Sequence, residues 1–254
     1  NGIALLPIGV FLVLYLGLGI LFEYVLKSKG LSGLKLTLFK NENNVVLLPA
    51  ESSAITVPFE DTEEIRVLKA GEEGADFIKI MTTGLLDFKN HGKVTGEPLE
   101  AEEVKEMVHI AHEEGFAVMS HTNGVYGTRT AIEAGVDSLE HGNYMDEETV
   151  TMLAESSTVW VPTLVTVRNL IGCGRYEDAI LRPIAERAEE LLRLAFRKRA
   201  KVALGSDAGA YMVPHGKGIC QEYEAFCQIL GDRPEVREWL QDGECEIRER
   251  FRRK

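Results

Sequence analysis

Residues 116–141 read FAVMSHTNGVYGTRTAIEAGVDSLEH, and the fold follows from how this stretch divides. An apolar run at 116–121 (FAVMSH) ends on His121, a short helical stretch lies near 128–134, and 138–141 (SLEH) ends on His141. Two strand-like runs joined through a helix predict a parallel pair, because parallel neighbours need a crossover connection. The same rhythm extends in both directions. Upstream, residues 61–64 (DTEE) read as an N-cap with an acidic residue three positions on, opening a helix to about residue 73. Residues 76–81 (DFIKIM) read as a buried strand, and 102–114 as a helix with Val104, Met107, Val108 and Ala111 on one face. Downstream come a helix starting after Asp146, a strand at 159–163 (VWVPT), a long helix over 177–199, and a strand at 201–204 (KVAL). Five apolar strands alternating with amphipathic helices predict an α/β fold with a parallel sheet.

Polar residues enter this rhythm at one recurring place. Lys79 sits inside an otherwise apolar strand, and His121, His141 and Asp207 each stand where a strand gives way to a loop. In parallel α/β folds the C-terminal strand ends converge on one rim, where active sites are built. Four groups suited to metal ligation on four strands of one sheet predict a common site. His109 and His112 are three apart on an acidic helix; the first reads as surface and the second as helix-to-strand packing. His215 follows the last strand by a short loop, and Asn143 and Tyr144 follow His141. All three are candidates to touch substrate at that rim.

The segments GADFIKIM (74–81), VMSHTNG (118–124), AGVDSLEHGNY (134–144), VPTL (161–164) and VALGSDAG (202–209) resemble, in order and spacing, the amidohydrolase superfamily. The resemblance is strongest to imidazolonepropionase-like and Xaa-Pro-dipeptidase-like members. It runs from about residue 61 onward and implies strands 4–8 of an eight-stranded (β/α) barrel. It further implies a metal-dependent hydrolase of amide or cyclic-amide C–N bonds, with one or two Zn2+ or other divalent ions per chain. Lys79 matches the lysine that is carboxylated to bridge two metals, and His121 and His141 match the two histidines that hold the second. Asp207 matches the catalytic aspartate that binds metal and shuttles the proton of the water. The chemistry suits the residues. A free ammonium in an apolar strand is costly, whereas a carbamate offers two oxygens to cations. A carboxylate beside an activated water can take its proton and pass it to the leaving amine.

The sequence departs from that pattern in its first part. The family's first strand carries a His-x-His pair, and none occurs among the histidines at 91, 109, 112, 121, 141 and 215. Residues 3–22 are twenty residues without charge, long enough at a helical rise to span a bilayer core. The first thirty residues are weakly similar to the opening helix of NhaC-type sodium/proton antiporters. Residues 31–60 read as a short β-rich segment, with strands near 34–39, 45–48 and 54–59 forming a small antiparallel ribbon. Three βα units at roughly 30 residues each do not fit before residue 61. The expected organisation is therefore 1–30 a hydrophobic helix, 31–60 a β-rich linker and 61–254 the barrel portion. A non-catalytic remnant, or an interaction module anchored through residues 3–22, stands as the alternative to a working hydrolase.

The net charge of −12 argues against a nucleic-acid partner, whose phosphates the chain would repel. Four cysteines without a C-x-x-C pair indicate free thiols in a reducing, cytoplasmic setting. The expected partner is a small amide or dipeptide substrate. Membrane contact through residues 3–22 and homo-oligomerisation are left open by the sequence.

Overall fold

The computed structural model describes residues 46–49, 55–56 and 75–251. The expected hydrophobic helix at 3–22, the strand near 34–39 and the helix at 61–73 lie outside them. Among the described residues no helix is long and apolar enough to cross a membrane.

Among the described residues six strands form one sheet in the order β2-β1-β3-β4-β5-β6. They are β1 Val46–Pro49, β2 Ile55–Thr56, β3 Ala75–Met81, β4 Ala117–Thr122, β5 Ser138–His141 and β6 Val159–Val161. From β3 to β6 the neighbours are parallel, as the alternation of apolar runs and helices dictates. β1 and β2 pair antiparallel, and β1 also pairs antiparallel with β3, Val46 opposite Lys79. The short ribbon is thus continuous with the main sheet. The expected strand at 201–204 is reduced to a single bridge, Trp160 with Val202, held by the Trp160 N–H to Lys201 and the Ala203 N–H to Trp160 carbonyls. The chain turns away into the Gly205–Gly209 loop before a second bridge forms.

The helices are α1 Ala101–Glu113, α2 Val125–Ala134, α3 Glu147–Glu155, α4 Val165–Arg168, α5 Asp178–Lys198, α6 Gly218–Leu230 and α7 Pro234–Arg250. Local chemistry sets their ends. Glu103 accepts from the Glu100 N–H at 3.0 Å, and Asp146 caps α3 by accepting from the Thr149 N–H at 2.8 Å. Gly135 closes α2 in the left-handed conformation. One face of the sheet presents Ile78, Ile80, Val118, Leu139, Trp160 and Val202, all essentially buried against Val108, Ile132, Leu153, Leu192 and Phe226 of the helices. Each such side chain contributes roughly 1.5–3 kcal/mol by leaving water. The opposite face is the one that carries Lys79.

α7 lies along residues 200–203. The Trp239 indole donates to the Ala200 carbonyl at 2.7 Å, and Ile247 packs with Val159, Val161 and Ala203 on the polar side of the sheet. Gly243 permits this approach, since a Cβ there would lie 1.9 Å from the Val202 carbonyl oxygen. In an ordinary helix alanine is better than glycine by up to about 1 kcal/mol. Gly243→Ala is expected to do the reverse here and destabilise the chain by roughly 1–3 kcal/mol, because the overlap is with backbone. Urea unfolding checks this, and a stabilised variant would show that α7 does not seat on Val202.

Candidate metal centre

Register decides which side chains meet. Parallel neighbours that share a register position point to the same face. Lys79 pairs with Met119 and Met81 with His121, and His121 in turn pairs with Glu140. Lys79, His121 and Glu140 therefore share the face opposite the helical core. Strict alternation would send His141 to the other side. It does not go there, because His141 adopts φ 70°, a left-handed conformation that breaks the pleat and turns the ring back. The His121 and His141 rings end 4.5 Å apart between centroids, nearly edge to face.

Electrostatics tie the group together. Burial lowers the His121 imidazole to about 4, helped by the Lys79 charge and opposed by a bond to the Gly84 carbonyl. Burial, then His121 and Lys79, holds His141 well below the ordinary histidine range. Both rings are thus neutral at neutral pH, the form that ligates metal. Lys79 is itself pushed down by burial, while the carboxylates of Glu140 and Asp207 push it back up. Glu140 is 8% exposed, accepts from Ser138 Oγ at 2.7 Å, and is raised by burial against the pull of Lys79. Asp207, left-handed at φ 52° at the mouth of the site, is raised by partial desolvation, with Lys79 opposing.

The hydrogen bonds also orient the rings. His141 Nδ1 lies 2.6 Å from Thr163 Oγ1, so a proton on Nδ1 donated to the hydroxyl leaves Nε2 with the lone pair. His121 Nε2 is 3.3 Å from the Gly84 carbonyl oxygen and 3.3 Å from the Asn123 amide nitrogen. With the proton on Nε2 donated to Gly84, Nδ1 carries the lone pair. Among the described residues no group of three or more His, Cys, Asp or Glu side chains is gathered to hold a metal. The two imidazoles are the nitrogen donors of the cluster, and Lys79 lies near enough to perturb both of them.

The other sequence candidates fall in different places. Asn143 gives its side-chain amide to Asn123 Oδ1 at 3.0 Å and so ties two rim loops together. The Tyr144 hydroxyl is buried near the Gly92 backbone without a well-formed hydrogen bond, with its ring 5.3 Å from His91. His215 is exposed, its Nε2 against Gly209 rather than among the cluster. His112 bonds Asp137 at 2.8 Å, which also accepts the Val118 N–H; this is the helix-to-strand packing expected of it. Glu140 escaped the sequence reading, although its signal was present: a carboxylate alternating with Leu139 in a buried strand. A cavity of about 570 Å3 lies against the same sheet face beneath α6 and α7, lined by Met119, Val161 and Leu240. Glu140 is the member of the cluster that lines it.

The chain is an α/β protein whose parallel strands carry two imidazoles, an amine and a carboxylate on one face of the sheet, and it belongs to the amidohydrolase family, whose sequence profile matches residues 20–227. An uncharacterized protein of Mycobacterium tuberculosis is 31% identical over 139 residues, 52% of this chain and 37% of that protein. Ochratoxinase of Aspergillus niger is 28% identical over 139 residues, 53% of this chain and 29% of the enzyme. The crystal structure of a Xaa-Pro dipeptidase with bound methionine superposes at TM-score 0.58 with 28% identity, over 74% of this chain and 47% of the other. That of A. niger ochratoxinase gives TM-score 0.61 at 23% identity, over 75% and 42%, a likeness of fold. The matches thus span about a third of the curated relatives and under half of these structures. The family match begins at residue 20, ahead of the expected start near 61. The antiporter-like reading of the first thirty residues finds no support in these comparisons.

The His121 shift carries a sign that can be tested. On acidification the unfolded chain takes up a proton near 6.5, whereas the folded chain does so only near 4. The stability held above pH 6.5 is therefore lost as pH falls toward 4, by about 3 kcal/mol from this residue. In chelator-treated protein, urea unfolding between pH 7 and 4 should show a smaller loss for His121→Asn than for the unaltered chain. Parallel profiles would mean that the ring is not desolvated.

Proposed function

We propose that this protein is a metal-dependent amidohydrolase built on a partial (β/α) barrel, cleaving amide or cyclic-amide C–N bonds of small substrates such as dipeptides. The observation that supports it most is the meeting of His121 and His141, rings 4.5 Å apart, within the field of Lys79. His121, His141 and Lys79 would hold a divalent cation, zinc being an ion that imidazole donors suit. Lys79 would enter that set as a carbamate. Its lowered pKa favours the neutral amine, the form that can add carbon dioxide with release of one proton, and the carbamate would turn a costly cation into a ligand. When bound, the cation supplies Lewis acidity, activating water and polarising the scissile carbonyl.

The chain's own groups do the rest. Asp207 takes the proton of the attacking water and returns it to the leaving amine, and its raised pKa brings it closer to the range useful for both steps. Glu140 faces Lys79 and counters local positive charge. On the substrate side Tyr144 offers a buried hydroxyl without a firm partner, and His215 and Asn143 stand further round the rim. Similarity to a Xaa-Pro dipeptidase and to ochratoxinase supports this class of substrate.

Zinc-loaded protein assayed on a panel of dipeptides and N-acyl amino acids should show turnover, and Asp207→Asn should lower kcat by about 100-fold or more. A folded, zinc-loaded chain without turnover on any member would favour the non-catalytic alternative. Turnover that survives Asp207→Asn would remove that residue from the mechanism.

A further inference from the structure

We propose that Glu222 of α6 is a positioning residue for His141, acting through Thr163. Glu222 is 0% exposed, and its two oxygens are fully committed. Oε1 accepts from the Leu164 N–H at 2.8 Å and Oε2 from the Val165 N–H at 2.9 Å. These are the backbone donors at the start of α4, which the helix itself leaves unpaired. The residue just before them, Thr163, is buried and left-handed at φ 50°, a conformation that a β-branched side chain strongly resists. Strain of that kind persists only where the surroundings over-determine it. The two-armed carboxylate fixes the next two peptide units and so holds the turn.

The turn has one visible product: Thr163 Oγ1 stands 2.6 Å from His141 Nδ1. Relaxed to the ordinary right-handed region, Thr163 would swing its hydroxyl away from the ring. α6 supports Asp207 as well. Gly218 at its start packs so closely on Ser206 that a Cβ would come within 3.0 Å of the hydroxyl. One helix outside the sheet therefore braces the backbone beneath two site residues. The Arg168 guanidinium lends charge to Glu222 while bonding Glu189 and Gln228. Burial raises Glu222 to about 7, the cost of keeping a carboxylate where only backbone N–H groups meet it.

A carboxylate that merely capped α4 would matter for stability alone; one that acts through Thr163 must also alter His141. The consequence for metal rests on the function proposed above, whereas the consequence for the ring does not. Glu222→Gln keeps the shape but turns an amide NH2 toward one of the two backbone donors, breaking one arm. In metal-free protein, the 15N imidazole signals of His141 are expected to move in the same direction as in Thr163→Val, away from a single Nδ1-bonded tautomer. Zinc affinity, by competition with a chromophoric chelator, is expected to fall about 10-fold or more in each variant. The double variant should lose little beyond either single one, because both break one chain of contacts. Circular dichroism monitors folding, and Glu222→Asp, which keeps the charge but shortens the reach, decides the matter if the Gln variant does not fold. Unchanged His141 signals in a folded Glu222 variant would overturn the proposal, as would strictly additive losses. If the unaltered chain bound no zinc, the proposed function would fall, and the His141 signals would still decide this inference.

Discussion

The candidate centre depends on left-handed backbone at the strand exits. His141, Thr163 and Asp207 stand at or just beyond three successive exits of the sheet, and all three have positive φ without being glycine. Each such residue costs of order 1 kcal/mol or more, so three in one rim would not persist without a return. The return is geometric. Alternation along a strand gives one polar side chain per two residues to a given face, and a left-handed residue at the exit adds a second. Glu140 and His141 are adjacent in sequence and reach the same cluster for this reason. Backbone strain of this kind clusters at functional sites, and here it gathers at the strand exits.

Around that rim the charges balance through mutual perturbation. Burial would neutralise each group separately: the imidazoles and the amine by losing protons, the carboxylates by gaining them. The structure shows those directions for His121, His141, Lys79, Glu140 and Asp207, with Lys79 and the two carboxylates partly restoring each other's charge. Neutral nitrogens present lone pairs, and the carboxylates hold their protons more tightly than free ones do. Asp207 is the exposed member of the cluster.

Much of this was legible in the sequence because periodicity and strand-end chemistry are local signals. The segments around Lys79, His121, His141 and Asp207 stood at recurring positions in a βα rhythm, and the sheet keeps Lys79, His121 and His141 on or just beyond β3, β4 and β5. What escaped was encoded in non-local terms. α6 went unread because its buried positions include Gly218 and Glu222, residues that break an apolar stripe although the structure needs both. Residues 201–204 looked like a full strand, yet form one bridge, because α7 settles along them and the chain turns at Gly205. The ribbon of β1 and β2 read as a separate linker, and its pairing with β3 could be found only through register. Glu140 was hidden by its neighbour: a histidine beside a glutamate in SLEH draws attention to the first, and only φ at His141 reveals that both face one way.

The central claim is that His121 and His141, on neighbouring strands, hold one divalent cation together with Lys79. X-ray absorption at the zinc edge, on protein carrying one equivalent of zinc, tests it most directly. The expected shell contains two imidazole nitrogens at about 2.0–2.1 Å with oxygen donors completing about four ligands, and the imidazole scattering should vanish when His121 and His141 are both changed to Asn. A shell of oxygens alone, or an imidazole signal that survives the double change, would contradict it.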